Sequence, residues 1–172
     1  SLFAQEGYLP AARARELQRN LVYHLASGVG PPLSPLHTRA IMAARAVSLS
    51  RGYSAIRPKT VELLLDCLAI DLLPLIPSMG TVGASGDLTP LAHMALALMG
   101  EGAALWRGGR TPAAAALARA GLTPLDPEHK ECLALVNGTS AMTGIAAVNS
   151  VLAARAIELG LRLSVLYAEL YA

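Results

Sequence analysis

Residues 80–94 read GTVGASGDLTPLAHM, and this stretch decides the fold around it. Gly83 and Gly86 let the backbone bend sharply. Asp87 or Thr89 is placed to cap a helix that starts there, and Pro90 suits the first turn of such a helix. From Asp87 to Leu98 the sequence is apolar nearly all round, which predicts a helix at the centre of the fold. Three small residues, Ala84, Ser85 and Gly86, sit where loop becomes helix.

Working outward, the same reading gives helices on both sides. A helix is predicted over 11–27, with Leu17, Leu21, His24 and Leu25 on one face, ended by Gly28-Val29-Gly30-Pro31-Pro32. Ser34 and Pro35 open a second helix that Gly52 closes, and Pro58 opens a third with the stripe Val61, Leu64, Leu65, Leu68 and Leu72. Pro74 and Pro77 end it and lead into the loop. Residues 105–110, LWRGGR, predict one small hairpin. A short alanine-rich helix runs to Gly121 and another covers 127–134. A long helix from about Thr139 carries Ile145, Val148, Leu152, Ala156, Leu159, Leu163, Leu166 and Leu170 in steps of three and four, the seam of a helix bundle. The fold class is therefore all-α, a helical bundle with one small β-hairpin.

Composition narrows the functional classes. Of 172 residues, 53% are hydrophobic, 15% charged and 4% aromatic, which favours close helix-on-helix packing. A mean hydropathy of +0.45 predicts apolar faces buried against further protein. The net charge of +2 is too small to argue for nucleic acid. Cys67 and Cys132 have no metal-ligand spacing, and four histidines with few carboxylates predict no metal site. Both cysteines read as reduced core residues of a cytoplasmic protein. Residues 132–154 are free of charge and long enough for a membrane span. They also contain Asn137, Thr139, Ser140, Thr143 and Asn149, so a buried helix is expected instead and no membrane partner.

Two further stretches bear on chemistry: NLVYHLASGVG over 20–30 and ALVNGTSAMTG over 134–144. Together with GTVGASGDLTPLAHM, and in this order, they resemble the signatures of the aromatic amino acid ammonia-lyases and aminomutases. In that family the tripeptide matching Ala84-Ser85-Gly86 cyclises on itself into methylidene-imidazolone, an electrophile made without an external cofactor. The residue types suit that chemistry. The Gly86 amide nitrogen must reach the Ala84 carbonyl carbon, and a side chain at 86 would crowd the approach. Ser85 loses its hydroxyl as water, and its Cβ becomes the exocyclic carbon.

The resemblance implies the remaining roles. His24 would hydrogen-bond a substrate phenol and Leu25 would pack on its ring, as in bacterial tyrosine ammonia-lyases; Leu88 would line the same pocket. A buried imidazole built for a phenol rejects the analogue lacking it. Asn137 would contact the prosthetic group and the substrate through its amide. Asp87 would support the site, either by capping a helix or by assisting cyclisation, and His93 would be structural. The implied substrate is a small aromatic amino acid, L-tyrosine or L-phenylalanine, deaminated to trans-4-coumarate or its analogue and ammonia. An aminomutase, a histidine ammonia-lyase and a non-enzymatic assembly module remain open alternatives. The implied architecture is the ammonia-lyase/fumarase-like superfamily, with residues 1–172 forming one partial domain that carries the Ala-Ser-Gly loop and the start of the central bundle. The family's tyrosine loop is expected to end about where residue 1 begins. Its arginine and glutamine, and the rest of the bundle, are expected beyond residue 172, so this segment alone would be inactive. The intact enzyme would be a homotetramer.

Overall fold

The computed structural model describes residues 11–80 and 85–171; Ala84 and the loop expected over 1–10 lie outside them. Seven helices dominate the described residues: α1 (Ala11–Leu25), α2 (Pro35–Ser50), α3 (Pro58–Ala69), α4 (Leu88–Leu98), α5 (Ala113–Arg119), α6 (Glu131–Val136) and α7 (Ser140–Tyr171). The punctuation expected from the sequence sets several boundaries. Ser34 accepts the His37 N–H at 3.3 Å and Pro35 fills the first turn of α2. Pro58 likewise begins α3.

The strands exceed the single hairpin expected. β4 (Ala103–Trp106) and β5 (Gly109–Pro112) do form that hairpin, with the turn at Arg107-Gly108, both with positive φ. β2 (Leu73–Pro74) adds to β4, and β1 (Val29–Pro32) pairs antiparallel with β3 (Pro77–Met79). These short strands are rich in proline, which reads as a breaker in sequence yet is tolerated at sheet edges. The β1–β3 pair ties the end of α1 to the segment that leads into the Ala-Ser-Gly loop.

α4 is central, as its all-round apolar sequence predicts. Leu91, Ala92, Met94, Ala95 and Leu98 are fully buried, and α4 packs on α1, α5, α6 and α7. Two details of the predicted stripes are corrected. In α3 the exposed residue is Leu65, and Leu63 is buried in its place. In α1 the fully buried residue is Val22, while His24 faces out. α2 crosses α7 closely enough that a Cβ on Gly144 would stand 2.5 Å from the Ile41 nitrogen. Beyond that crossing α7 leaves the body. Only Ser140, Ala141, Gly144 and Val148 are buried, and the outer seam residues Leu159, Leu163 and Leu166 are each more than half exposed. By length and composition alone α7 could cross a membrane.

α6 is held firmly at its start. The Gln18 side-chain oxygen accepts the Cys132 and Leu133 N–H groups at 3.0 and 3.3 Å, capping its start. Glu131, 1% exposed, accepts from Arg57 Nε (2.8 Å), the Arg57 N–H (3.1 Å), Thr60 Oγ1 (2.9 Å) and the Glu128 N–H (3.0 Å), and pairs with Arg57 Nη2. Burial alone would raise the Glu131 pKa, but these donors outweigh it and bring it down to about 2 from 4.5. Burial pushes the Cys67 and Cys132 thiols up to about 12, which leaves them unreactive. Because the folded Glu131 pKa lies below the unfolded one, its stabilisation is present above pH 4.5 and is lost as pH falls toward 2. Glu131→Gln is expected to lose about 3 kcal/mol at pH 7 and nearly nothing at pH 2, read from urea melts at the two pH values.

Candidate active site

The described end of the Ala-Ser-Gly loop lies against the turn between α6 and α7. Gly86 has φ +106°, a conformation that L side chains rarely adopt, and a Cβ there would stand 2.5 Å from the Gly138 carbonyl oxygen. The next residue completes the contact: the Asp87 N–H donates to that same oxygen at 2.7 Å. Ser85, one residue earlier, is exposed. The two backbones touch here because Gly86 has no side chain to hold them apart.

Asp87 does not cap the helix it precedes. Its buried carboxylate reaches across, and Oδ2 accepts the Met142 N–H in the first turn of α7 at 2.7 Å. A carboxylate at a helix N-terminus satisfies an orphan donor and complements the helix dipole. Asp87 therefore fastens the end of the loop to α7 by side chain and to the α6–α7 turn by backbone.

Asn137 ends α6 with φ −87° and ψ 103°, an extended conformation. The Asn137 side chain is exposed and makes no hydrogen bond among the described residues. Its carbonyl points inward and accepts from Arg45 Nη2 at 2.9 Å. Arg45 is 3% exposed, donates also to the Ala134 carbonyl, and has Nη1 3.5 Å from Ser140 Oγ. No carboxylate pairs with it among the described residues, its Nε has no partner, and burial lowers its pKa. The sequence reading missed Arg45. The signal was there: it falls on the buried stripe of α2, with Ile41, Met42, Ala46 and Leu49, where a charge is out of place.

His24 and Leu25 close α1. His24 is exposed and Leu25 is half-buried against the core, so His24 is not a core histidine. Leu88, the first residue of α4, is half-buried as well. The segment after Leu25 is pinned to α4, because the Gly28 N–H donates to His93 Nε2 at 3.1 Å. That bond places the ring proton on Nδ1, and burial lowers the His93 pKa, which keeps the acceptor available. His37 bridges Ser34 Oγ and the Asn149 side-chain oxygen, linking α2 to α7, and His129 is exposed. Beside the Gly86–Gly138 contact lies a cavity of about 510 Å³, whose lining includes Gly80, Asp87, Pro90, Met142 and Ile145.

Comparison with known proteins places this geometry in context. A tyrosine ammonia-lyase of Cereibacter sphaeroides is 57% identical over 137 residues, 79% of this chain and 26% of its own length. A histidine ammonia-lyase of Stigmatella aurantiaca is 54% identical over 131 residues, 76% of this chain and 26% of its own. Among solved structures, the phenylalanine aminomutase of Pantoea agglomerans superposes with a TM-score of 0.74 at 43% identity, covering 79% of this chain and 26% of that one. The chain thus spans about a quarter of the length of the relatives it matches. The family described as aromatic amino acid lyase matches residues 5–171, and the chain belongs to that family.

Proposed function

We propose that the full-length protein is an aromatic amino acid ammonia-lyase that converts L-tyrosine, and L-phenylalanine less well, to trans-4-coumarate or its analogue and ammonia. Ala84-Ser85-Gly86 would be the source of a methylidene-imidazolone group, with no external cofactor. The observation that carries this reading is the Gly86–Gly138 contact. It leaves no room for a side chain at 86, the position whose amide nitrogen must close the ring, and Ser85 beside it is exposed. The residues present therefore fit the group. When formed, it supplies an electrophilic carbon for the substrate's α-amine.

The chain's own residues would hold that substrate. The Asn137 amide, free and exposed, donates to its polar atoms. His24 takes the phenol, and Leu25 and Leu88 pack on the ring. Asp87 supports the site by anchoring α7. The tyrosine base and the arginine for the substrate carboxylate would come from chain outside residues 1–172. The uncovered seam of α7 supports burial against other copies in a homotetramer, and the two buried, unreactive thiols suit a cytoplasmic setting. Tyrosine is favoured over histidine by the His24-Leu25 pair, since the relatives' names include both activities. Aminomutases among the superposing structures make a tyrosine 2,3-aminomutase the second reading.

Intact mass of the full-length protein is expected to fall two waters below that of its sequence, with the loss mapping to the peptide holding residues 84–86. With L-tyrosine the main product should be trans-4-coumarate. An unmodified mass would remove the mechanism, and β-tyrosine as main product would replace the lyase by the mutase. His24→Phe should shift the ratio of kcat/KM for tyrosine over phenylalanine toward phenylalanine by at least about tenfold; an unchanged ratio would deny His24 its role. Asp87→Ala is expected to lose about 1–2 kcal/mol of stability and Asp87→Asn less than half of that, because asparagine still offers an oxygen to Met142. Equal losses in thermal melts would count against the cap.

A further inference from the structure

We propose that Arg45 is the positioning residue of this site: its buried guanidinium clamps the α6–α7 junction and so holds Asn137-Gly138 against Gly86. The inference rests on the lyase reading above. Arg45 donates to the Ala134 carbonyl in the last turn of α6 and, at 2.9 Å, to the Asn137 carbonyl, and its Nη1 lies 3.5 Å from Ser140 Oγ at the start of α7. One group therefore touches both helices that flank the Asn137 turn. On the far side of that turn, Gly138 presents its carbonyl to Gly86 and to the Asp87 N–H. Consecutive carbonyls are engaged by different partners, that of Asn137 by Arg45 and that of Gly138 by the Asp87 N–H, so the turn is pinned at two points.

Gly138 itself records how tight the stack is. A Cβ built there would collide with Arg45 Nη1, just as one at Gly86 would collide with Gly138. The order through the stack is guanidinium, glycine peptide, glycine peptide, with no side chain between. A displacement of Arg45 is therefore transmitted to Gly86 through backbone alone, and close-packed interiors pass on such shifts.

Stability alone is a poor reason for this arrangement. A buried charge without an acidic partner is unfavourable, and an apolar residue of similar volume often serves a core as well or better. What an apolar residue cannot do is donate to two carbonyls at once at the end of a helix. The donors are what fix the orientation of the Asn137 peptide, and hence the direction in which its side-chain amide projects. Arg45 touches no substrate in this arrangement. It acts through Asn137 and Gly86.

The test uses full-length protein carrying Arg45→Met or Arg45→Gln, beside wild type. Three quantities are read: the fraction of protein that has lost two waters, the hydrogen-exchange rate of the Asp87 amide, and kcat against KM for tyrosine. Both variants are expected to keep the far-UV circular dichroism of wild type. The Asp87 amide should exchange about tenfold faster, because its acceptor is no longer held. The dehydrated fraction should drop below that of wild type. In the dehydrated fraction kcat should fall roughly 30-fold with KM changed less than about threefold, the signature of lost positioning rather than lost binding. If Arg45→Met fails to fold, Arg45→Gln, which keeps one amide donor, is judged by the same three readings. Full dehydration, an unchanged Asp87 exchange rate and a kcat within about twofold of wild type would overturn the inference while leaving the lyase reading intact. A wild type with no loss of water would overturn both.

Discussion

The contact on which the rest of the structure depends is between two backbones: the Gly138 carbonyl lies against Gly86 and accepts the Asp87 N–H. A side chain on Gly86 would run into that carbonyl and one on Gly138 would run into Arg45, and Gly86 also adopts a backbone angle that other residues avoid. Such a contact is short of apolar area, so its neighbours must hold it. Asp87 ties one side to α7, and Arg45 grips the other side through the Asn137 and Ala134 carbonyls. At the far end of α6 the Glu131 carboxylate, ringed by donors from Arg57, Thr60 and Glu128, and the Gln18 cap fix where that short helix starts. Six residues of helix are thus anchored at both ends by side chains from distant parts of the chain.

This division separates frame from reach. The groups that hold the frame, Asp87, Arg45 and Glu131, are buried and bonded to other parts of the chain. The polar groups proposed to meet a substrate, His24 and Asn137, are exposed, and Asn137 keeps its amide unengaged among the described residues. A polar side chain that has already spent its hydrogen bonds on the protein has little to offer a ligand, whereas one held by its backbone alone keeps its donors. Asn137 is of the second kind, with its carbonyl committed inward and its amide free.

Much of this was legible in the sequence, for local reasons. Helix α4 announced itself by an apolar run with Pro90 in its first turn. Ser34-Pro35 and Pro58 marked the starts of α2 and α3, and three short signatures pointed to the family. What was not legible depended on partners far along the chain. Asp87 sits at the end of a loop where a cap for its own helix is the local expectation, yet its acceptor serves a helix that begins 53 residues later, at Ser140. The β1–β3 pair is built from segments whose prolines argue against strands one at a time. His24 falls within the span of an apolar stripe, but the true buried position is Val22, two residues back, because α1 lies on the body at a slightly different rotation. Periodicity fixes that a face exists; only packing fixes which residues own its edges.

The outer half of α7 has a consequence of its own. A helix whose leucines face water gains little from packing on its own chain, so its persistence is borrowed from whatever lies across it. Any surface that covered it would link the free energy of folding by mass action to its own concentration. Dilution would be felt first at the Tyr171 end of the rod, and Gly144, wedged on α2, marks where the self-sufficient portion begins.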